Sequence, residues 1–233
     1  ATVDGKPIIP RSGYIVEINA LWYNALKFYE QLVGEQGTED EKSRADFCST
    51  ESQKIETSFK KVFLNDYGYL LDYVDGQMMD WSVRPNQLFA IALDFSPLNI
   101  KERKGVLDIC TKELVTPKGI RSLSPKSGGY NPMYIGEQRN RDYAYFSGTA
   151  WPWLTGFYLE AYVRVYKMSG VNYIERQLIG FEDELFYHSI GTIPELFDGN
   201  PQFSGRGAVS YAMNVSGILR AIRLLEKYKQ QRE

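Results

Sequence analysis

The chain has 233 residues, of which 43% are hydrophobic and 24% charged, and its formal net charge is −2. That composition supports one substantial core or two small ones, and it argues against a protein built to neutralise many phosphates. No apolar run approaches membrane-spanning length and no signal peptide is visible, while two cysteines and one histidine are too few for a disulfide framework or a Cys/His zinc site.

Cys48 and Cys110 are therefore expected as free thiols. The 17 Tyr, 12 Phe and 4 Trp are more informative. Tyr and Trp join an apolar face to a polar edge, so they suit wet, sugar-binding clefts as well as cores.

Residues 18–33 place Ile18, Leu21, Trp22, Ala25, Phe28, Tyr29 and Leu32 at three- and four-residue spacings, which predicts an amphipathic helix closed by Gly34 and Gly37. A charged stretch, 39–44, leads into a weaker helix over about 43–62 with Phe47, Ile55, Phe59 and Val62 as its apolar positions. Residues 65–85, NDYGYLLDYVDGQMMDWSVRP, lack a helical period and read as a loop able to hold short hairpin strands. Pro85 suits the first turn of a helix running through Leu88 to Leu93, and Ser96 with Pro97 marks the start of the next, through Val106, Leu107, Cys110 and Leu114. Residues 120–148, rich in Gly and Pro, read as a long irregular segment, and such segments are often functional. Helices are then predicted over 149–168, 173–187 and 209–228, the last ending on Lys227 and Lys229.

The expectation is an all-α chain of about seven helices. Paired helices with alternate connectors swollen suggest an α/α toroid or a helical repeat, and a plain bundle fits the same pattern.

Four connectors hold candidate chemistry. In residues 11–26, Glu17 and Asn19 can meet ligand hydroxyls with Trp22 or Tyr23 as walls; the plainer reading is a polar helix start. In DWSVRPNQ, Trp81 can stack on a sugar while Arg84, Asn86 and Gln87 hydrogen-bond it, or the segment is a loop anchor before a helix. Residues 141–156 gather Asp142, Tyr145, Trp151 and Trp153, with one tryptophan expected in the core and the other at a cleft. In GTIPELFDGN, Glu195 or Asp198 can activate water, and burial against Phe197 would raise the carboxylate's proton affinity; the alternative is a solvated turn acid. Carboxylates, aromatic platforms and directed polar groups on one helical scaffold are what a glycosidase needs.

In order and spacing, VEINALWYNAL, RPNQLFAIAL, LVTPKGIRSLSP, DYAYFSGTAWPWLTGFYLEAY, IPELFDG and GRGAVSYAMNVSGILRA resemble the C-terminal glucosidase domain of glycogen-debranching enzymes, the amylo-α-1,6-glucosidase family. The resemblance implies the C-terminal part of an (α/α)6 toroid of the glucoamylase-like six-hairpin type. It implies inverting hydrolysis of α-1,6-linked glucose at branch points of glycogen or limit dextrin, in the cytoplasm, without metal or organic cofactor. It carries the general base onto Glu195, with Asp198 as the alternative. It puts Glu17, Asn19, Trp22, Tyr23, Trp81, Arg84, Asn86, Gln87, Asp142, Tyr145 and Trp151 at the substrate.

The family's general acid lies in a Trp-Met-Asp motif just before the segment that matches TVDGKPIIPRSGY. Residues 1–233 are thus expected to form a partial catalytic domain lacking that acid and several helices, inactive alone, with apolar helix faces that drive self-association. An exo-α-glucosidase or trehalase-like relative, and a noncatalytic carbohydrate-binding module, are the competing readings.

Overall fold

The computed structural model describes residues 2–34, 36–188 and 190–230. In chain order the elements are β1 (Thr2–Val3), β2 (Lys6–Pro7), β3 (Tyr14–Ile15), α1 (Val16–Val33), α2 (Glu39–Phe63), β4 (Tyr73–Asp75) and β5 (Met78–Met79). A tight helical turn (Pro85–Leu88) runs into α3 (Phe89–Ala92), then come α4 (Ile100–Glu113), β6 (Val115–Thr116), β7 (Gly119–Arg121), α5 (Gln138–Phe146) and β8 (Ala150–Trp151). The rest is α6 (Leu154–Tyr166), a tight turn (Lys167–Gly170), α7 (Val171–Ile179), α8 (Glu184–Tyr187), β9 (Leu196–Phe197), β10 (Gly205–Arg206) and α9 (Ala212–Gln230). Helices dominate, and the strands are only two or three residues long. Among the described residues no helix is long and apolar enough to cross a membrane. Both cysteines are free, Cys110 buried and Cys48 half-buried, as expected.

The chain divides into two compact units. The smaller is Arg11–Trp81 with Asn86–Val106; the larger holds the residues up to Pro10, Ser82–Pro85 and the chain from Leu107 onward.

In the smaller unit α1 packs on α2 and α3, and β3, β4 and β5 form an antiparallel sheet within the segment read as a loop. Helix α2 starts before the predicted position because Thr38 caps it. The Thr38 hydroxyl accepts from Glu41 N, while Glu41 Oε2 accepts from Thr38 N at 2.8 Å. Acids 39–41, read as a linker, are thus the first turn, where negative charge is favoured. Helix α4 is likewise capped by Asn99, whose Oδ1 accepts from Lys101 N at 2.9 Å and Glu102 N at 3.0 Å. Ser96, the predicted cap, instead donates to Ala90 O at 2.5 Å.

The buried side of α1 is Val16, Ala20, Tyr23 and Leu26. The stripe expected to face the core is largely outside: Ile18 is 58% exposed, Trp22 56%, Phe28 52% and Leu32 69%.

In the larger unit, β10, β9, β8, β7 and β6 pair in that order as one antiparallel sheet. Ala150 and Phe197, from adjacent strands, share a core with Phe181, Ile193 and Ile218. Residues 149–153 are not helical as expected. Trp151 precedes Pro152, which disfavours helical backbone at Trp151, and it pairs with Ile120 instead. Helix α5 arises inside the segment read as irregular, and the helix predicted over 173–187 breaks after Ile179. Helices α6 and α9 meet at glycines: a Cβ on Gly156 would lie 2.5 Å from Gly217 O, and one on Gly217 would lie 2.5 Å from Trp153 O. Only hydrogen at these positions permits that approach.

Candidate active site

Glu195 enters β9 from the Pro194 turn and is half-buried. Its backbone N–H donates to Ala208 O at 2.9 Å, and Ala208 N returns a bond to Glu195 Oε2 at 2.9 Å. The Tyr145 hydroxyl donates to Glu195 Oε1 at 3.1 Å. Each carboxylate oxygen therefore has one fixed donor and lone pairs to spare. The glycine at 207 makes this possible. Its φ is +72°, and a Cβ there would stand 2.5 Å from Glu195 Oε2.

The backbone under Glu195 is pinned by Asn214, which is fully buried in the first turn of α9. Asn214 Nδ2 donates to Pro194 O at 2.6 Å and Glu195 O at 2.7 Å, and its Oδ1 accepts from Trp153 N at 3.0 Å. Phe197 lies in the core cluster. Asp198 is 1% exposed and ion-paired: Oδ1 accepts from Tyr134 N at 2.8 Å, and Oδ2 from Arg206 Nε at 2.9 Å and Nη2 at 2.8 Å.

Asp142 and Tyr145 lie one turn apart on α5 and so share a face. With Thr2, Ile8, Tyr134 and Phe146 they line a cavity of about 340 Å3. Burial, then the charge and hydrogen bond of Glu195, push the Tyr145 phenol well above its ordinary range, so it remains a proton-bearing donor. Gln138 Nε2 donates to Asp142 Oδ1 at 2.6 Å. Arg84, a predicted contact, is buried and donates through Nη1 to Phe146 O at 2.7 Å, bracing the C-terminus of the helix that carries Asp142 and Tyr145.

Trp151 packs 5.5 Å from Tyr145, centroid to centroid, and stacks on Trp153 at 6.4 Å and 18°. The expected division into one core and one cleft tryptophan is absent, because both are half-buried and lie against each other.

The remaining predicted contacts lie in the smaller unit. Arg11 grips Glu17 through both guanidinium ends, at 2.5 and 2.6 Å, and pairs with Asp72 at 2.7 Å. Asn86 Nδ2 donates to Asp72 Oδ1 at 2.7 Å, so Glu17 and Asn86 belong to one network. Asn19 turns back to Ile15 O at 2.9 Å. Gln87 is buried, with Oε1 accepting from Leu70 N at 3.3 Å, and Tyr23 is buried; Trp22 and Trp81 are exposed.

Sequence reasoning passed over Asn214, Tyr134, Arg206 and Gly207. A polar Asn214 flanked by Met213 and Val215 in an amphipathic helix, and the GRG run before it, were the available signals.

The family model for amylo-alpha-1,6-glucosidase matches residues 1–220. The chain belongs to this family. Within the amylo-alpha-1,6-glucosidase family it is similar to the glycogen debranching enzyme of Saccharomyces cerevisiae, 29% identical over 194 residues that cover 68% of this chain and 12% of that protein. Among solved structures, a GH63 mannosylglycerate hydrolase from Thermus thermophilus in complex with glucose matches with a TM-score of 0.61 and 13% identity, covering 90% of this chain and 47% of that one. Neutral trehalase of Saccharomyces cerevisiae matches with a TM-score of 0.60 and 14% identity, covering 92% of this chain and 40% of the trehalase chain. These likenesses establish an all-α fold of the six-hairpin glycosidase, or α/α-toroid, type. The chain spans less than half the length of each of these proteins.

Proposed function

We propose that this chain is the base-bearing part of an inverting glycoside hydrolase that frees α-1,6-linked glucose at branch points of glycogen or limit dextrin. Glu195 is the general base. The observation that carries the assignment is the contrast within IPELFDG: Asp198 is 1% exposed and ion-paired to Arg206, whereas Glu195 is half-buried and held only by Tyr145 and Ala208 N, leaving lone pairs within reach of a water. In an inverting mechanism such a carboxylate takes a proton from water as the oxygen attacks the anomeric carbon, while an acid on the opposite side protonates the leaving oxygen. Tyr145 and Ala208 N fix the carboxylate's orientation, and Asp142 faces the same cavity as Tyr145. On this reading the proton donor comes from another part of the parent protein, and the chain alone releases little glucose.

In the parent, Glu195→Gln is expected to lower kcat by about 10²–10⁴-fold while leaving stability near wild type. Asp198→Asn is expected to lose about 1–2 kcal/mol of stability by weakening a buried acceptor of Arg206, whose side chain is partly solvated. Undiminished glucose release by Glu195→Gln defeats the assignment. A second reading, an exo-acting hydrolase of another linkage, is supported by the resemblance to neutral trehalase. Glucose release from limit dextrin, linear maltooligosaccharides and trehalose separates the two.

A further inference from the structure

Tyr134 lies in the larger unit, in a stretch between β7 and α5 that is neither helix nor strand, yet its position is fixed. Its N–H donates to Asp198 Oδ1 at 2.8 Å. The chain around this bond is tied down as well: Asn131 N donates to Ser147 O at 2.6 Å, and Gly199 N to Pro132 O at 2.7 Å. Arg206 occupies the other oxygen of Asp198 through Nε and Nη2, which keeps Oδ1 for Tyr134.

The side chain held in this way is half-buried and lines the cavity of about 340 Å3 together with Asp142 and Tyr145. Its ring stands 6.2 Å from the Tyr145 ring, centroid to centroid, with the planes at 66°. Tyr145 in turn donates to Glu195 Oε1. Among the described residues the Tyr134 hydroxyl has no hydrogen-bond partner, whereas the hydroxyls of Tyr130, Tyr145, Tyr158 and Tyr173 each have one. A phenol can both donate and accept, so this one is open to a ligand in the cavity. A preset ring also lowers the ordering cost of binding.

The lining presents two phenols and a carboxylate. Asp142 is the charged side chain among the described lining residues, and Gln138 engages its Oδ1. The cations on the elements that form the cavity are placed elsewhere. Arg139 pairs with Asp4 at 3.7 Å, Arg141 donates to Gly136 O and Gln138 Oε1, and Lys6 is exposed on β2 outside the lining. An anionic ligand would therefore meet a carboxylate first. A sugar brings hydroxyls that donate to Asp142 and an apolar ring face to lie against Tyr134.

We propose that Tyr134 contacts the substrate, its ring against a sugar ring and its hydroxyl on a sugar hydroxyl, and that Asp198 is the positioning residue that seats it. The second acid of IPELFDG then serves the same cavity as the first, through a backbone bond instead of its own acid–base chemistry. That the sugar belongs to a branched α-glucan rests on the function proposed above; the placement of Tyr134 does not.

Equilibrium dialysis of end-labelled limit dextrin against the Glu195→Gln parent measures binding apart from turnover. Adding Tyr134→Phe is expected to weaken binding about threefold at an unchanged urea midpoint, because the lost hydroxyl bonds no described protein group. Tyr134→Ala is expected to weaken it about tenfold. Asp198→Asn leaves one oxygen for Tyr134 N and Arg206 to share. It is expected to weaken binding about threefold beside Tyr134 and to add nothing in Tyr134→Ala. Full affinity in Tyr134→Phe, or no binding by the Glu195→Gln parent, overturns the contact. Full affinity in Asp198→Asn, or an equal loss from it beside Tyr134 and in Tyr134→Ala, overturns the positioning role. Failure of the catalytic reading shows separately, as undiminished glucose release by Glu195→Gln in the parent.

Discussion

Glu195 and Asp198 stand three positions apart in one motif, yet the fold gives them different surroundings. That difference was not legible locally, because it is made by Tyr134, Tyr145, Arg206 and Ala208, which the fold brings in from elsewhere. Tyr145 is the clearest handle. Its phenol is pushed up by burial first and by the Glu195 charge second. A folded-state value above the unfolded value of about 10 means the stabilisation is complete below that pH and lost as pH rises through the folded value. The stability of wild type relative to Tyr145→Phe is therefore expected to be flat up to about pH 10 and to fall above it, as urea titrations at each pH can show. A difference that grows above that pH contradicts the hydrogen-bonded neutral phenol. In the parent, the same variant is expected to lose about tenfold in kcat, because a donor that orients the charged carboxylate is gone.

At the scale of elements, the strongly periodic helices could be read from sequence and the element that carries the site could not. Helix α5, QRNRDYAYF, has no aliphatic row, so no period announces it; the structure braces it through Arg84 at its end. The strands are too short to display alternation, and Pro152 alone hinted that Trp151 is extended. Capping explains the shifted helix starts, since Thr38 and Asn99 won over later or earlier candidates. The contact of α6 with α9 was equally silent in the sequence, because a glycine in a helix usually reads as a weakness. Here it sets the spacing on which the Asn214 clamp depends. Gly217→Ala is expected to cost about 1–3 kcal/mol, because the added methyl meets Trp153 backbone rather than a movable side chain. Gly128→Ala, with nothing within 4 Å of the new methyl, is the control and is expected to stay within about 0.5 kcal/mol. Equal urea midpoints for the two variants would show that α6 and α9 do not meet as described.

For the whole molecule, family membership was legible because its motifs run in order along nearly the full sequence, and the matched region, residues 1–220, agrees. The side that each helix presents was less legible. Helix α1 is apolar around much of its circumference, so periodicity offered a stripe, and the structure buries Val16, Ala20, Tyr23 and Leu26 instead. Ile18, Trp22, Phe28 and Leu32 are left outside, as are Met213 and Leu219 on α9. Exposed apolar surface on a helix face drives association when nothing covers it. The isolated chain is expected to self-associate, with a mass by light scattering that rises with concentration. Because the driving force is apolar, ammonium sulfate should strengthen the association, whereas a charge-driven complex would loosen as ionic strength climbs. Phe28→Glu with Leu32→Glu should shift the chain toward monomer with little change in stability, since both side chains are already mostly solvated. A wild-type chain that stays monomeric in ammonium sulfate would mean that the α1 face is tolerated in water and drives no contact.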